Sequence, residues 1–208
     1  MKKAIYIFIF FISQYFFGQQ SNQLWKGYFS YNEIVDVESS TNAVFASTQN
    51  ALFSQVVASS NLNVYNSITG LKPDVITTIH HSDAFNKTFV GNNNGLILIQ
   101  NADGSVTTKV DVIEEVPVPP NKKKINDFFE FNGRLYIATD YGISVIDLAT
   151  SEFISTYFIG TSGEETEVLQ TTVFNNEIYA VTRSFGIRKA NLNNPNLFDF
   201  SQWQTFDT

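Results

Sequence analysis

The chain has 208 residues, 43% of them hydrophobic, with a formal net charge of −7 and no cysteine. That length holds one to two domains and a sizeable core, and the acidic balance disfavours nucleic acid and anionic surfaces as bulk electrostatic partners. Without cysteine there are no disulfides and no thiolate metal sites, so the fold rests on its core alone.

The chain opens MKKAIYIFIFFISQYFFGQQ, with Lys2 and Lys3 ahead of an apolar run over residues 4–17. This pattern reads as a secretory signal peptide over residues 1–19, although Phe16 stands where a small residue is usual before cleavage. A spanning helix needs about 20 apolar residues, more than this run supplies, so an uncleaved anchor is the lesser alternative. No cysteine follows the run to serve as a lipid attachment point. Loss of Lys2 and Lys3 takes the formal charge from −7 to −9, and the mature chain is expected to be exported.

A strand candidate, QLWKGYFSY at residues 23–31, comes next and precedes a repeat. Four segments align: NAVFASTQNALFSQ from Asn42, NKTFVGNNNGLILI from Asn86, NGRLYIATDYGISVI from Asn132 and NNEIYAVTRSFGIRKA from Asn175. Each is a β-rich run, a polar turn, and a small residue followed by an apolar one: Ala51-Leu52, Gly95-Leu96, Gly142-Ile143 and Gly186-Ile187, spaced by 44, 47 and 44 positions. Upstream of each small residue lies another strand candidate, EIVDV from Glu33, VITTIH from Val75, INDFFEF from Ile125 and VLQTTVF from Val168. Downstream runs such as SVTTKVDVI, after the NADG turn, and EFISTYFI supply the fourth strand of each unit.

Four antiparallel strands per unit of this length describe the blade of a β-propeller, and radial stacking explains why RLYIAT and GLILI are apolar on both faces. The sequence therefore predicts an all-β propeller segment over residues 20–208, of about four four-stranded blades near 33–70, 71–120, 121–163 and 164–208. The recurring small residue suits a turn that needs positive φ or close backbone approach, and Ala51 favours close approach. The extra strand at residues 23–31, and the likeness of the surroundings of Trp203 to those of Trp25, suggest the N-terminal part of a ring of six to eight blades. A closed four-bladed ring is the alternative.

Candidate sites are few. His80 and His81 are the only histidines and, adjacent on a strand, point to opposite faces, so they cannot share a metal ion. No serine, histidine and acid set assembles, and no catalytic, cofactor or metal residue is assigned. Glu164, Glu165 and Glu167, in the loop leading to the fourth unit, form a candidate channel rim; a solvated loop is the plainer reading. Lys122, Lys123 and Lys124, after the stiff PVPP stretch, are a candidate contact for an anion or an acidic partner, against an ordinary connection between blades.

The strings WKGYFSYNEI, SITGLKPDVITTIHHS, PPNKKKIN, YGISVIDLATSEF, EVLQTTVFNNEIYA and NNPNLFDFSQW, in this order, resemble the N-terminal propeller of PorZ-type proteins of the type IX secretion system. The GL and GI spacing also resembles the wider group of two-component-regulator propellers. The resemblance implies a non-enzymatic scaffold without cofactors, in the periplasm or at the outer-membrane cell surface. It would bind protein partners of an attachment complex that joins secreted cargo to anionic lipopolysaccharide, and would itself contact lipopolysaccharide or another glycan. PorZ-type proteins carry a second propeller and a sorting domain that this sequence does not include. The alternatives are the extracytoplasmic glycan-sensing propeller of a hybrid two-component regulator and, with least support, a propeller hydrolase or lyase.

Overall fold

Four antiparallel four-stranded meanders, each hydrogen-bonded in chain order, make up the computed structural model, which describes residues 31–59 and 61–206. The first sheet holds β1 (Asp36–Ser39), β2 (Ala43–Thr48), β3 (Ala51–Val56) and β4 (Leu62–Tyr65). The second holds β5 (Ile76–Ser82), β6 (Lys87–Asn92), β7 (Ile97–Gln100) and β8 (Val106–Lys109). The third holds β9 (Ile125–Phe131), β10 (Arg134–Thr139), β11 (Ile143–Asp147) and β12 (Phe153–Tyr157). The fourth holds β13 (Val168–Phe174), β14 (Glu177–Thr182), β15 (Ile187–Asn191) and β16 (Gln204–Thr205). The signal-peptide expectation lies outside the described residues, as does the strand candidate at 23–31 apart from Tyr31.

The hydrophobic interior is three cores, one at each seam between successive sheets. Phe45, Leu52, Ile79, Val90 and Leu98 fill the first seam. Phe89, Ile97, Ile99, Ile125, Leu135 and Ile137 fill the second. Tyr136, Ala138, Ile143, Val145, Ile178 and Trp203 fill the third. Side chains alternate across a strand, so Leu135 and Ile137 of β10 enter the second seam while Tyr136 and Ala138 between them enter the third. Continuous apolarity in RLYIAT is thus two interleaved half-strands, each serving a different core.

Around the axis, β1 packs on β5, β5 on β9 and β9 on β13. Side chains lace these inner strands, again in alternation. Asp36 Oδ2 accepts from Thr78 Oγ1 and from the Ile79 amide, both at 2.9 Å. Thr77 Oγ1 donates to the Ile125 carbonyl at 2.6 Å, and Asn126 Nδ2 to the Val168 carbonyl at 2.9 Å. No comparable packing joins the first sheet to the fourth among the described residues. The closed four-bladed ring is therefore not observed: the four blades form an open arc.

The turns explain the repeat. Asn86, Asn132 and Asn175, which begin three of the aligned segments, each have φ 48°. Asn132-Gly133 and Asn175-Asn176, with both residues at positive φ, are tight primed turns between inner and second strands, while Asn86 ends a four-residue turn from Asp83. At the next turn Gly95, Gly142 and Gly186 have φ of 90°, 154° and 64°, and a Cβ on Gly186 would meet nothing within 4 Å. Positive φ is the shared requirement, and close approach holds as well at two of the three: a Cβ on Gly95 would come within 2.8 Å of the Lys123 carbonyl oxygen, and one on Gly142 would strike the Tyr157 carbonyl oxygen. Ala51 closes a shorter turn, paired with Thr48. A polar residue ends each second strand and ties this turn. Thr139 Oγ1 donates to the Gly142 carbonyl at 2.9 Å, Thr182 Oγ1 to that of Gly186 at 2.7 Å, and Asn92 Nδ2 to that of Leu96 at 2.9 Å.

Three expectations change. The SVTTKVDVI run is strand only to Lys109, and Asp111–Glu114 forms a helical turn that buries Val112 in the second seam. The PVPPNKKK stretch is not fully extended, because Pro120–Lys122 close a 3-10 turn, for which the proline ring presets φ. The last strand is two residues long, preceded by a 3-10 turn at Phe200–Gln202 whose Ser201 amide is held by Asp199. Trp203 is buried in the third seam, where its Nε1 donates to the Leu197 carbonyl at 2.9 Å.

Gly91, on β6, marks the tightest meeting of the second and third sheets: a Cβ there would come within 2.7 Å of Ile125 Cγ2 and 3.0 Å of Thr78 Cγ2. Gly91→Val keeps a good strand former but forces the seam apart. Denaturant unfolding should show a loss of about 1–3 kcal/mol, the usual cost of overpacking; unchanged stability would mean the seam yields freely.

Candidate functional site

The inner strands bring titratable side chains from three sheets together on the channel wall. His80, on β5, lies with Nδ1 3.4 Å from Glu38 Oε1 of β1 and Nε2 3.1 Å from Glu130 Oε2 of β9. Burial is the largest single influence on His80 and opposes its charge, but the hydrogen bonds and fields of the two carboxylates together outweigh it, so its pKa is raised. His81 points the other way, stacked on Phe45 with ring centroids 4.3 Å apart and Nδ1 2.9 Å from Thr88 Oγ1. Burial lowers its pKa. Asp127, on β9, is pushed up to about 6 by burial, with the nearby Asp36 carboxylate adding to the effect and the Phe128 amide opposing it.

The charged segments singled out in the sequence meet at one end of the arc, the leading end, where β9 and β13 begin. Lys122 Nζ is 2.8 Å from Glu165 Oε2, and these two residues with Pro117, Phe158, Gly163 and Glu164 line a shallow cleft of about 440 Å³. Lys123 departs from the expectation that it would be a contact residue. It is buried, and its Nζ donates to the Ile113 and Glu115 carbonyls at 2.7 and 2.6 Å, holding the end of the helical turn. Lys124 is half-buried, and its carbonyl accepts from the Asp140 amide.

Glu164 folds back on its own loop, accepting from the Ser162 amide at 2.6 Å. Those local hydrogen bonds hold its carboxyl below the usual range. Glu167 receives a two-pronged contact from Arg183, at 3.0 and 2.8 Å, which lowers its pKa in the same way. The end thus carries two ion pairs, Lys122 with Glu165 and Arg183 with Glu167, and the three lysines share no common basic face. Sequence reading missed Arg183, which lies 16 positions from Glu167 and meets it only because the turn between β14 and β15 faces the same end. It also missed the carboxylates around His80, each about one blade away in sequence. Among the described residues no group of three or more His, Cys, Asp or Glu is placed to hold a metal ion.

The wall makes stability depend on pH in a fixed direction. His80 binds its proton more tightly folded than unfolded, so its contribution is complete below its ordinary value of 6.5 and is lost as pH rises through the higher folded value. Asp127 also holds its proton longer when folded. Stability therefore falls between its ordinary 3.8 and about 6, and above that a buried carboxylate remains as a constant cost. Asp127→Asn should be more stable at pH 8 by roughly 1–3 kcal/mol and lack the fall between pH 4 and 6. His80→Gln should lose only the decline above pH 6.5. Denaturant midpoints across pH check both; an Asp127→Asn variant less stable at pH 8 would contradict this account of the wall.

The family model of the PorZ N-terminal β-propeller domain of the type IX secretion system matches residues 44–204. No curated protein sequence matches the chain. Among solved structures the chain is similar to PorZ of Porphyromonas gingivalis, described as an essential bacterial surface component of the type IX secretion system. The two are 19% identical with a TM-score of 0.73, over 88% of this chain and 24% of that one. It is also similar to extracellular domains from B. thetaiotaomicron. One is of the candidate one-component system BT4673 (14% identity, TM-score 0.65, 88% and 23% covered) and one of the candidate hybrid two-component system BT3049 (16%, 0.63, 85% and 22%). At these identities the structural likenesses show the fold, and the chain spans about a quarter of each of those proteins. The family match runs from the second strand of the first blade to the last strand of the fourth, and the chain belongs to the PorZ N-terminal β-propeller domain family of the type IX secretion system.

Proposed function

We propose that this propeller is a non-catalytic binding module of an exported, PorZ-like protein that works at the outer membrane in the attachment of secreted cargo. The observation that carries the reading is the family match across all four blades. The leading-end rim supports it. Its two ion pairs, Lys122 with Glu165 and Arg183 with Glu167, place both signs of charge on one surface, a pattern that selects a complementary protein face through orientation and encounter rate. Lipopolysaccharide or another glycan is a second partner in this reading. We also take the four blades as part of a larger ring, because Val37, Val44 and Leu62 of the first sheet and Phe174, Val181 and Phe206 of the fourth stay exposed.

A sensor role in a hybrid two-component system is the second reading, favoured by the extracellular domains from B. thetaiotaomicron that share the fold. Deleting the gene from its host separates the two. The scaffold reading expects secreted cargo to be released into the medium, with cell-attached cargo restored by the native gene and reduced by a Lys122→Glu/Arg183→Glu copy. Unchanged cargo attachment, with a lost transcriptional response to a glycan, would overturn it in favour of sensing. No helix among the described residues is long and apolar enough to cross a membrane.

A further inference from the structure

The end opposite the charged rim carries a cavity of about 550 Å³ at the outer part of the seam between the third and fourth sheets. Its floor is Tyr136 of β10 and Tyr157 of β12, both buried, on the two strands that flank β11 in the third sheet. Burial raises the pKa of both hydroxyls, so they remain protonated hydrogen-bond donors throughout the physiological range. One wall is the turn at Asn132 with Arg134, the first residue of β10. The other is the loop at residues 192–198, ending in the exposed Phe198 ring.

This loop is built to hold its shape. Trp203 Nε1 donates to the Leu197 carbonyl at 2.9 Å, and Asn194 Nδ2 donates to Gln202 Oε1 at 2.7 Å. Asn194 Oδ1 in turn accepts from the Asn196 amide at 2.9 Å. The Trp203 ring lies 6.2 Å from that of Tyr157, directly behind the cavity floor.

Arg134 decides the chemistry. Its side chain is exposed at the cavity and makes no ion pair among the described residues, while Lys109, Lys122, Arg183 and Lys189 each do. Its charge acts on the Tyr136 hydroxyl and on Asp147, its cross-strand partner, whose carboxylate is turned to the Thr150 amide at 2.9 Å. A guanidinium fork open to the cavity matches a carboxylate. No Asp or Glu lines the cavity, so nothing there would receive the ammonium of a free amino acid. What remains around the fork is side-chain amides and tyrosine hydroxyls, suited to ligand hydroxyls, with Phe198 and Ile154 as apolar surfaces for a ring face.

We propose that this cavity binds a carboxylate-bearing saccharide of one to three units, with Arg134 on the carboxylate, Asn132 and Asn194 on ring hydroxyls and Phe198 against the ring. The site is separate from the leading-end rim, and it stands even if the role in cargo attachment fails, because no part of the argument uses that role.

The test titrates the exported chain with galacturonate, glucuronate and N-acetylneuraminate oligosaccharides, and with galactobiose as the neutral control. Calorimetry is the primary readout, and tryptophan fluorescence reports on Trp203. At least one acidic probe should bind saturably in the micromolar to millimolar range, about tenfold or more tighter than the neutral sugar. Arg134→Gln, a surface change expected to leave the unfolding midpoint in place, should weaken that probe about tenfold or more while leaving the neutral sugar unaffected. Asn194→Ala, which removes a wall and loosens the loop, should weaken acidic and neutral sugars alike. Failure of every acidic probe to bind, or equal affinity in native chain and Arg134→Gln, would overturn the proposal.

Discussion

A four-stranded meander with apolar residues on both faces is not a stable object in water; it becomes one only between two others. This constraint organises the protein. Because side chains alternate, Leu135 and Ile137 commit β10 to the second sheet while Tyr136 and Ala138 commit it to the fourth. Consecutive letters of one strand belong to different cores, and no sheet owns a core of its own. The inner strands repeat the arrangement in polar form, with Thr78 bonded towards the first sheet and Thr77 towards the third.

Given that the seams are taken up by packing, recognition is left to the ends and to the channel wall. At the leading end Lys122 pairs with Glu165 between the third and fourth blades and Arg183 with Glu167 within the fourth, so the rim carries both signs of charge. At the opposite end one arginine is left open over a polar cavity. On the wall, His80 holds Glu38 and Glu130 at the same time, which ties three blades at a point where protonation counts. The fold thus separates a structural interior from differently charged outer features.

The fold was largely legible in the sequence because the turns are local chemistry. Asparagine at 86, 132 and 175 and glycine at 95, 142 and 186 sit where the backbone takes positive φ, and their spacing announces the blade. Outer strands were harder to bound: the SVTTKVDVI run alternates well, yet it turns helical at Asp111 to put Val112 into a seam, which is tertiary demand overriding local pattern. The site was much less legible. Lys122, Lys123 and Lys124 read as one basic run, but a chain that turns at Pro120 sends one lysine to Glu165 and another inward to two carbonyls. Arg134 gave no signal, because what distinguishes it is the absence of a partner, and partners lie a blade away.

Native-state amide exchange tests the shared-core account most directly, using Ile137→Ala to hollow out the second seam from the third sheet's side. Protection should fall in β6 and β7, whose Phe89, Ile97 and Ile99 line the same core, as well as in β10 itself. A loss confined to the third sheet, with the second sheet's amides unmoved, would contradict the claim that the blades have no cores of their own.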